Sequence, residues 1–455
     1  MLTLELKRKM LNLKHRHHRQ IADKLEYLRA MQWADPERFW KERDGRLAHL
    51  LQFAQRNVPY YSDMRQMNDI VVANGRIDYE RFAQIPLMDK SILQQQYKQL
   101  LSDDLDTRDW TVNTSGGSTG VPARFAQDQI YKDWSQGNKM LFDEWSGRAV
   151  GDKQIRLWGS VRDLLVGKET WRTYTGRWLR GEVWLNAYEM SEKLMSDYVQ
   201  IINRFKPKQI LSYVESIYEL ARFIQKKGLK VHAPGGIMTT AGVLRAEMRE
   251  TIESTFRTKV FNRYGSREVG DMACECDRHE GLHVSELMHY VELVDDEGKP
   301  VAPGEAGHIV VTSLSNYAMP LIRYRIGDMA VWSEQPCSCG RPHRLLKEIF
   351  GRESDSFITS NGTRIHGSLF TQLLFSLDWV ERYQVVQEDV DRIVITIVSE
   401  GGERDLAANR KMLDQVVNDI RKSMGEECDV DFKTVAHIDT SASGKYRYTI
   451  SKVAL

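Results

Sequence analysis

The run Thr114-Ser115-Gly116-Gly117-Ser118-Thr119-Gly120, followed by Val121-Pro122, has the residue types of a phosphate loop. Its glycines permit the positive φ angles that turn successive backbone N–H groups into one concavity, and the Ser and Thr hydroxyls add donors for phosphate oxygens. No lysine follows Gly120, so the G-x-x-x-x-G-K-[ST] pattern is absent and a different nucleotide-using architecture is indicated. A flexible Gly/Ser turn is the plain alternative. Downstream, Asn262-Arg263-Tyr264-Gly265-Ser266-Arg267-Glu268 sets a carboxylate three residues after a glycine. Glu268 could hold Mg²⁺ against phosphate oxygens, since this hard cation takes oxygen ligands and needs only one or two carboxylates; an isolated surface glutamate is the alternative. The run from Pro320 ends in Ile326-Gly327-Asp328, an acid able to accept both hydroxyls of a ribose. Gly351-Arg352 and, near the end, Ser443-Gly444-Lys445-Tyr446-Arg447 complete the series, the last also readable as a basic tail.

Four of the five cysteines fall into two close pairs, Cys274/Cys276 and Cys337/Cys339, a clustering that points to metal rather than to a disulfide framework. With His283, the set Cys276, Cys337 and Cys339 offers three thiolates and one imidazole, the donors of a closed, structural zinc site. Cys274 and His279 compete for places in it, and reduced thiols packed as small hydrophobes are the alternative. Cys428 stands alone and reads as such a residue.

These groups need a scaffold. Residues 1–110 read mostly as helix, with apolar Leu47, Leu50, Leu51 and Ala54 at helical spacing before the Asn57-Val58-Pro59 break. Over 111–351, short β-rich runs (155–158, 209–213, 260–262, 308–312) alternate with helical stretches (190–205, 216–227, 246–256), an α/β pattern. Residues 352–455 change to a hairpin (383–387 and 393–398), a helix near 409–424 and a strand near 429–435, which predicts a small α+β domain. The opening Lys7-Arg8-Lys9 and Lys14-His15-Arg16-His17-His18-Arg19 read as a solvated helix face.

Taken in order, these segments resemble the adenylate-forming superfamily of acyl-CoA synthetases, adenylation domains and luciferases. Asn57-Val58-Pro59-Tyr60-Tyr61, Ile85-Pro86-Leu87, the Tyr-Gly-x-x-Glu form at 264–268 and Met319-Pro320-Leu321-Ile322-Arg323-Tyr324 are similar to the phenylacetate-CoA ligase group and its capsular-polysaccharide relatives. The resemblance covers about residues 45–455. It implies a large multi-layer α/β domain with a small α+β C-terminal lid, and a zinc-binding insertion in the 111–351 core. It also implies ATP and Mg²⁺, a phosphate cradle at 115–120 with Thr119 in the catalytic set, nucleotide contacts at Tyr264, Gly265, Asp328 and Arg352, and Mg²⁺ at Glu268. The family's catalytic lysine falls on Lys445, where it would stabilise charge developing during adenylation. Relatives often carry two aspartates after the Gly-Arg-x step; here the positions are Ser354 and Asp355, so the hinge residue is open.

The implied reaction is activation of a small carboxylic acid as acyl-AMP, then transfer to CoA or, alternatively, to an amine acceptor; a catalytically silent nucleotide-binding protein is a further alternative. Trp158, Trp184, Tyr213 and Tyr264 are candidate acyl-pocket walls, although aromatics near strand ends also serve as core. A net charge of +1 over 455 residues provides no basic field for nucleic acid, and no apolar run reaches the length of a membrane span. A cytoplasmic location is expected, with a homodimer left open.

Overall fold

A computed structural model describes residues 16–72, 75–115, 123–158, 181–187, 190–352, 356–361, 364–375, 377, 379–438 and 448–453. The chain divides into two compact units, residues 1–326 with 330–349, and residues 327–329 with 350–455. In the first, helix α1 (Arg16–Met31) leads to α2 (Pro36–Asn57), which starts where Asp35 accepts the Glu37 amide and Pro36 supplies a preset φ. It stops at Val58, ahead of Pro59, and buries Phe39, Leu47, Leu50, Leu51 and Ala54 along one stripe.

Strands β1 (Trp110–Thr114) and β2 (Arg124–Asp128) form an antiparallel pair, with Thr114 opposite Arg124. Asp128 then caps α3 (Gln129–Trp145), its Oδ1 accepting the Tyr131 amide at 2.8 Å. The main sheet has a parallel half and an antiparallel half. The parallel half runs β4 (Glu182–Asn186), β3 (Gln154–Trp158), β5 (Gln209–Tyr213), β6 (Gly236–Thr240) and β7 (Val260–Ser266). From β7 the sheet turns antiparallel through β8 (Gly270–Glu275) and β9 (Leu282–Val284), and continues to β13 (Leu345–Arg352), β12 (Tyr324–Trp332), β11 (Ala306–Ser313) and β10 (His289–Val294).

Side-chain alternation along the parallel strands sends Ile155, Leu157, Ile210 and Ile237 to one face, against α4 (Glu192–Phe205), α5 (Val214–Lys226) and α6 (Ala246–Phe256). Leu211, Met238 and Cys274 go to the other, against Leu25 and Leu28 of α1 and Trp134, Leu141 and Phe142 of α3. The two short N-terminal signatures explain themselves here. Tyr61 Oη donates to the Pro320 carbonyl at 3.0 Å and accepts the Ile322 amide at 3.3 Å. Arg323, 2% exposed and at φ 49°, donates to the carbonyls of Ala83, Ile85 (2.7 Å) and Gly298 (3.3 Å), and its guanidinium pairs with Glu292 at 3.1 Å. A buried cation needs such full pairing to remain charged.

In the second unit, β14 (Ser356–Ile358) pairs with β15 (Arg364–His366), followed by α7 (Ser368–Phe375). The hairpin β16 (Arg382–Asp389) and β17 (Arg392–Val398) is flanked by β18 (Asp429–Thr434) and β19 (Thr449–Ser451). Val385, Ile393, Ile395 and Ile397 pack on Leu413, Val416, Ile420 and Met424 of α8 (Arg410–Met424).

Candidate active site and metal centre

The glycine-rich run hangs from a closed neck. Ser115 donates its amide to the Ala123 carbonyl at 2.8 Å, and its Oγ accepts the Ala123 amide at 2.9 Å. At 6% exposure, the Ser115 hydroxyl therefore helps shut the base of the loop. Residues 116–122, which include Gly116, Gly117, Ser118, Thr119 and Gly120, lie outside the described residues.

Beside this neck stands the β7–β8 hairpin that carries Glu268. Gln127 Nε2 donates to the Arg267 and Glu268 carbonyls at 3.1 and 3.2 Å, and Arg267 Nη1 donates to the Thr114 carbonyl at 3.3 Å. The half-buried Glu268 is thus fixed next to the ends of the β1–β2 hairpin by backbone contacts that leave its carboxylate available. Gly265 has a steric reason as well as a signature: a Cβ there would lie 2.4 Å from the Gly270 carbonyl oxygen and 2.7 Å from the Asp271 Cα. Tyr264, opposite Ala273, packs against the core that holds Val269 and Met272. Behind the turn, His289 Nε2 donates to the Val269 carbonyl at 2.8 Å, and burial lowers its pKa to about 4, so the ring is neutral.

The carboxyl ends of parallel strands are where open α/β sheets bind ligands. After β6, Ala241 takes φ 64°, a left-handed conformation that costs a non-glycine residue, and a Cβ on Gly242 would lie 2.3 Å from Glu215 Oε1. At the ends of β3 and β5, the Trp158 and Tyr213 rings meet at 4.4 Å. Asp328 is half-buried on β12 after Gly327 at φ 86°. Arg352 closes β13, its side chain outside the described residues, as is Lys445.

The four predicted metal ligands converge. The donor atoms of Cys276, His283, Cys337 and Cys339 all lie within 4.8 Å of one another. Cys276 Sγ is 3.7 Å from Cys337 Sγ, and Cys339 Sγ is 3.5 Å from His283 Nε2. Zinc bond lengths and tetrahedral angles give edges of about 3.8 Å for S···S and about 3.6 Å for S···N. Burial lowers the His283 pKa to about 3, leaving the neutral imidazole that a metal needs. Burial raises the Cys276 and Cys337 thiols, whereas the Arg341 amide and guanidinium hold Cys339 low against burial. Thiols packed this closely ionise together only around a cation. The competing residues are engaged elsewhere: Cys274 Sγ contacts the Glu275 carbonyl at 3.4 Å, and His279 contacts the Glu275 carboxylate at 3.3 Å.

Arg341, which carries no motif of its own, links this cluster to the residues that follow the first helix. Its amide meets Cys339 Sγ at 3.5 Å, its Nε donates to Gln32 Oε1 at 2.9 Å, and its guanidinium lies 4.3 Å from the Trp33 ring and 4.8 Å from that of Trp145. Trp145 Nε1 donates to the same Gln32 oxygen at 2.8 Å.

The chain resembles Protein CapK of Staphylococcus aureus, at 23% identity across 90% of this chain and 89% of the relative. It resembles a phenylacetate-coenzyme A ligase of Thermus thermophilus at 26% identity, across 76% and 77%. Residues 357–452 match the CapK C-terminal domain. Among solved structures, 2-hydroxyisobutyryl-CoA ligase in the postadenylation state superposes with a TM-score of 0.69 at 17% identity, covering 93% of this chain and 91% of that one. The fold is that of the adenylate-forming ligases, and the chain resembles that superfamily in sequence. Within it, the sequence likeness runs to the CapK and phenylacetate-CoA ligase group.

Proposed function

We propose that this protein activates a small carboxylic acid with ATP, releasing pyrophosphate and forming an acyl-AMP, and then transfers the acyl group to CoA. The observation that carries this reading is the bracing of the Glu268 turn against the neck of the phosphate loop by Gln127 and Arg267. A carboxylate held there can fix Mg²⁺ on phosphate oxygens, and the loop amides and Thr119 can cradle them. Asp328 and Arg352 serve the ribose, with Tyr264 at the nucleotide. Lys445 supplies positive charge while the carboxylate attacks the α-phosphate. The phenylacetate-coenzyme A ligases among the relatives support a thiol acceptor. An amine acceptor, implied by the resemblance to the capsular-polysaccharide relatives, is the second reading.

Zinc is part of the proposal, in a structural role: it binds Cys276, His283, Cys337 and Cys339, supported by the near-tetrahedral edges. The test of function is exchange of pyrophosphate into ATP over a panel of acids, beside transfer from synthetic acyl-AMP to CoA. Lys445→Ala should lower exchange by about 10²–10³ and spare transfer. Release of ADP and phosphate, or equal loss in both half-reactions, would overturn the reading.

A further inference from the structure

The Glu268 turn and the cysteine–histidine cluster are joined by a single strand. β8 begins at Gly270, two residues after Glu268, and ends at Glu275, immediately before Cys276. β9 returns beside it and sets His283 opposite Cys274. Helix α3 lies along the same strand and meets it near both ends. Toward the turn, the approach is close enough to require a glycine: a Cβ on Gly270, whose φ is 83°, would lie 2.8 Å from Tyr131 Oη and 3.2 Å from Ser135 Oγ. Toward the cluster, the Trp145 ring meets the His283 ring edge-on, with centroids 5.4 Å apart.

Asn138 ties the two elements between these points. It is 2% exposed, its Nδ2 donates to the Asp271 carbonyl at 2.9 Å, and its Oδ1 accepts from Ser285 Oγ at 2.7 Å. A carbonyl can only accept, so the partners fix which way the amide faces. The Ser285 amide donates in turn to the Met272 carbonyl at 2.7 Å, which closes a clamp on residues 271 and 272. Seven residues of helix lead from Asn138 to Trp145, and three of strand lead from Asp271 to Cys274. At about 1.5 Å and about 3.3 Å per residue both spans come to about 10 Å, so helix and strand keep step from the clamp to the cluster. An apolar residue at 138 could fill the space but would leave the turn without this hold on its backbone.

We propose that Asn138 is a positioning residue for Glu268, and that through α3 and β8 the occupation of the cysteine–histidine cluster sets how tightly the Glu268 turn holds Mg²⁺. This rests on the acid-activating reading and the zinc assignment above, and adds that the state of the one site is felt at the other. Such coupling is carried by packed side chains and rigid elements shared by the two sites, here one helix and one strand.

The experiment compares wild type, Asn138→Ala, the zinc-free chain made by Cys337→Ser with Cys339→Ser, and the combination of all three substitutions. Trp145→Leu, which keeps all four ligands, tests the same path where the cysteine variant fails to fold. Two quantities are read: the half-saturating Mg²⁺ in pyrophosphate exchange, and the hydrogen–deuterium exchange of the 266–272 amides, which needs no turnover. Asn138→Ala should raise the half-saturating Mg²⁺ by about 10-fold, the scale of a lost partner behind a metal ligand, with kcat at saturating Mg²⁺ and the KM for the acid within about 3-fold. Loss of zinc should do the same and speed the 266–272 amides by about 10-fold while those of β5 stay unchanged. The two effects should not add, because either break opens the same path. Additive effects, an unchanged Mg²⁺ requirement, equal rises in the KM for Mg²⁺ and for the acid, or a wild type that carries no zinc overturn the proposal. If no acid supports exchange, faster 266–272 amides in the zinc-free chain, with no further gain from Asn138→Ala, sustain the coupling while removing the activating reading. Amides that are unchanged, or that speed up equally in β5, overturn the coupling.

Discussion

Removing the metal from the cysteine–histidine cluster should loosen the first unit by an amount that chain geometry sets. Zinc would cross-link Cys276 to Cys337, 61 residues apart. Releasing a loop of that length returns chain entropy worth about 4 kcal/mol at 25 °C on the loop-closure model. For a chain of this size that corresponds to roughly 4–6 °C in the thermal midpoint. Protein purified without added metal should therefore carry one zinc per chain, released to a colorimetric chelator only as the protein unfolds. Cys337→Ser with Cys339→Ser should lose the zinc and lower the midpoint by that margin. Cys274→Ser is the control, since its sulfur contacts the Glu275 carbonyl, and it should keep the metal. Zinc content near zero, or a double variant melting within about 1 °C of wild type, would refute the reasoning.

Two further outcomes follow from buried charge. Arg323→Met should cost about 3–5 kcal/mol in urea unfolding, because it strands Glu292, whose carboxyl burial already holds above the usual range; Glu292→Gln in the same chain should recover part of that, and a strictly additive double variant would contradict the pairing. His289 has a folded pKa of about 4 against 6.5 unfolded, so its contribution is present at pH 7 and lost as pH falls through that window: unfolded chains take the proton first. Between pH 7 and pH 5 the wild type should lose about 2 kcal/mol more than His289→Gln, and parallel pH profiles would refute this.

Much of the architecture was legible because period and punctuation agreed. The alternation of short β runs with helical stretches located β3, β5, β7, β11 and α4–α6 to within a few residues. The second half of the sheet was less readable. Strands β8 and β9 are short and carry consecutive buried residues, so they show no alternation to distinguish them. The metal cluster was readable from donor chemistry alone, although only the antiparallel pairing of β9 with β8 and β13 explains how His283 meets cysteines far along the chain. Gln127 and Arg341 offered no signal, since their partners are backbone carbonyls or residues from remote segments. Conversely, the Asn57–Tyr61 and Ile85–Leu87 runs looked like markers without a task. Their task is to meet the segment 320–324.

That meeting sets a timetable for synthesis. The Ile85 carbonyl that accepts from Arg323 is made 238 residues before its donor. At about 5–20 residues per second, the amino-terminal layer waits roughly 12–48 s on the ribosome before the arginine exists. Until then the carbonyls of Ala83 and Ile85 can be satisfied only by water, so the layer cannot close over them. Nascent chains that stop short of residue 323 should therefore keep residues 57–88 open to protease, and the same stretch is where a chaperone would find its longest-lived opportunity.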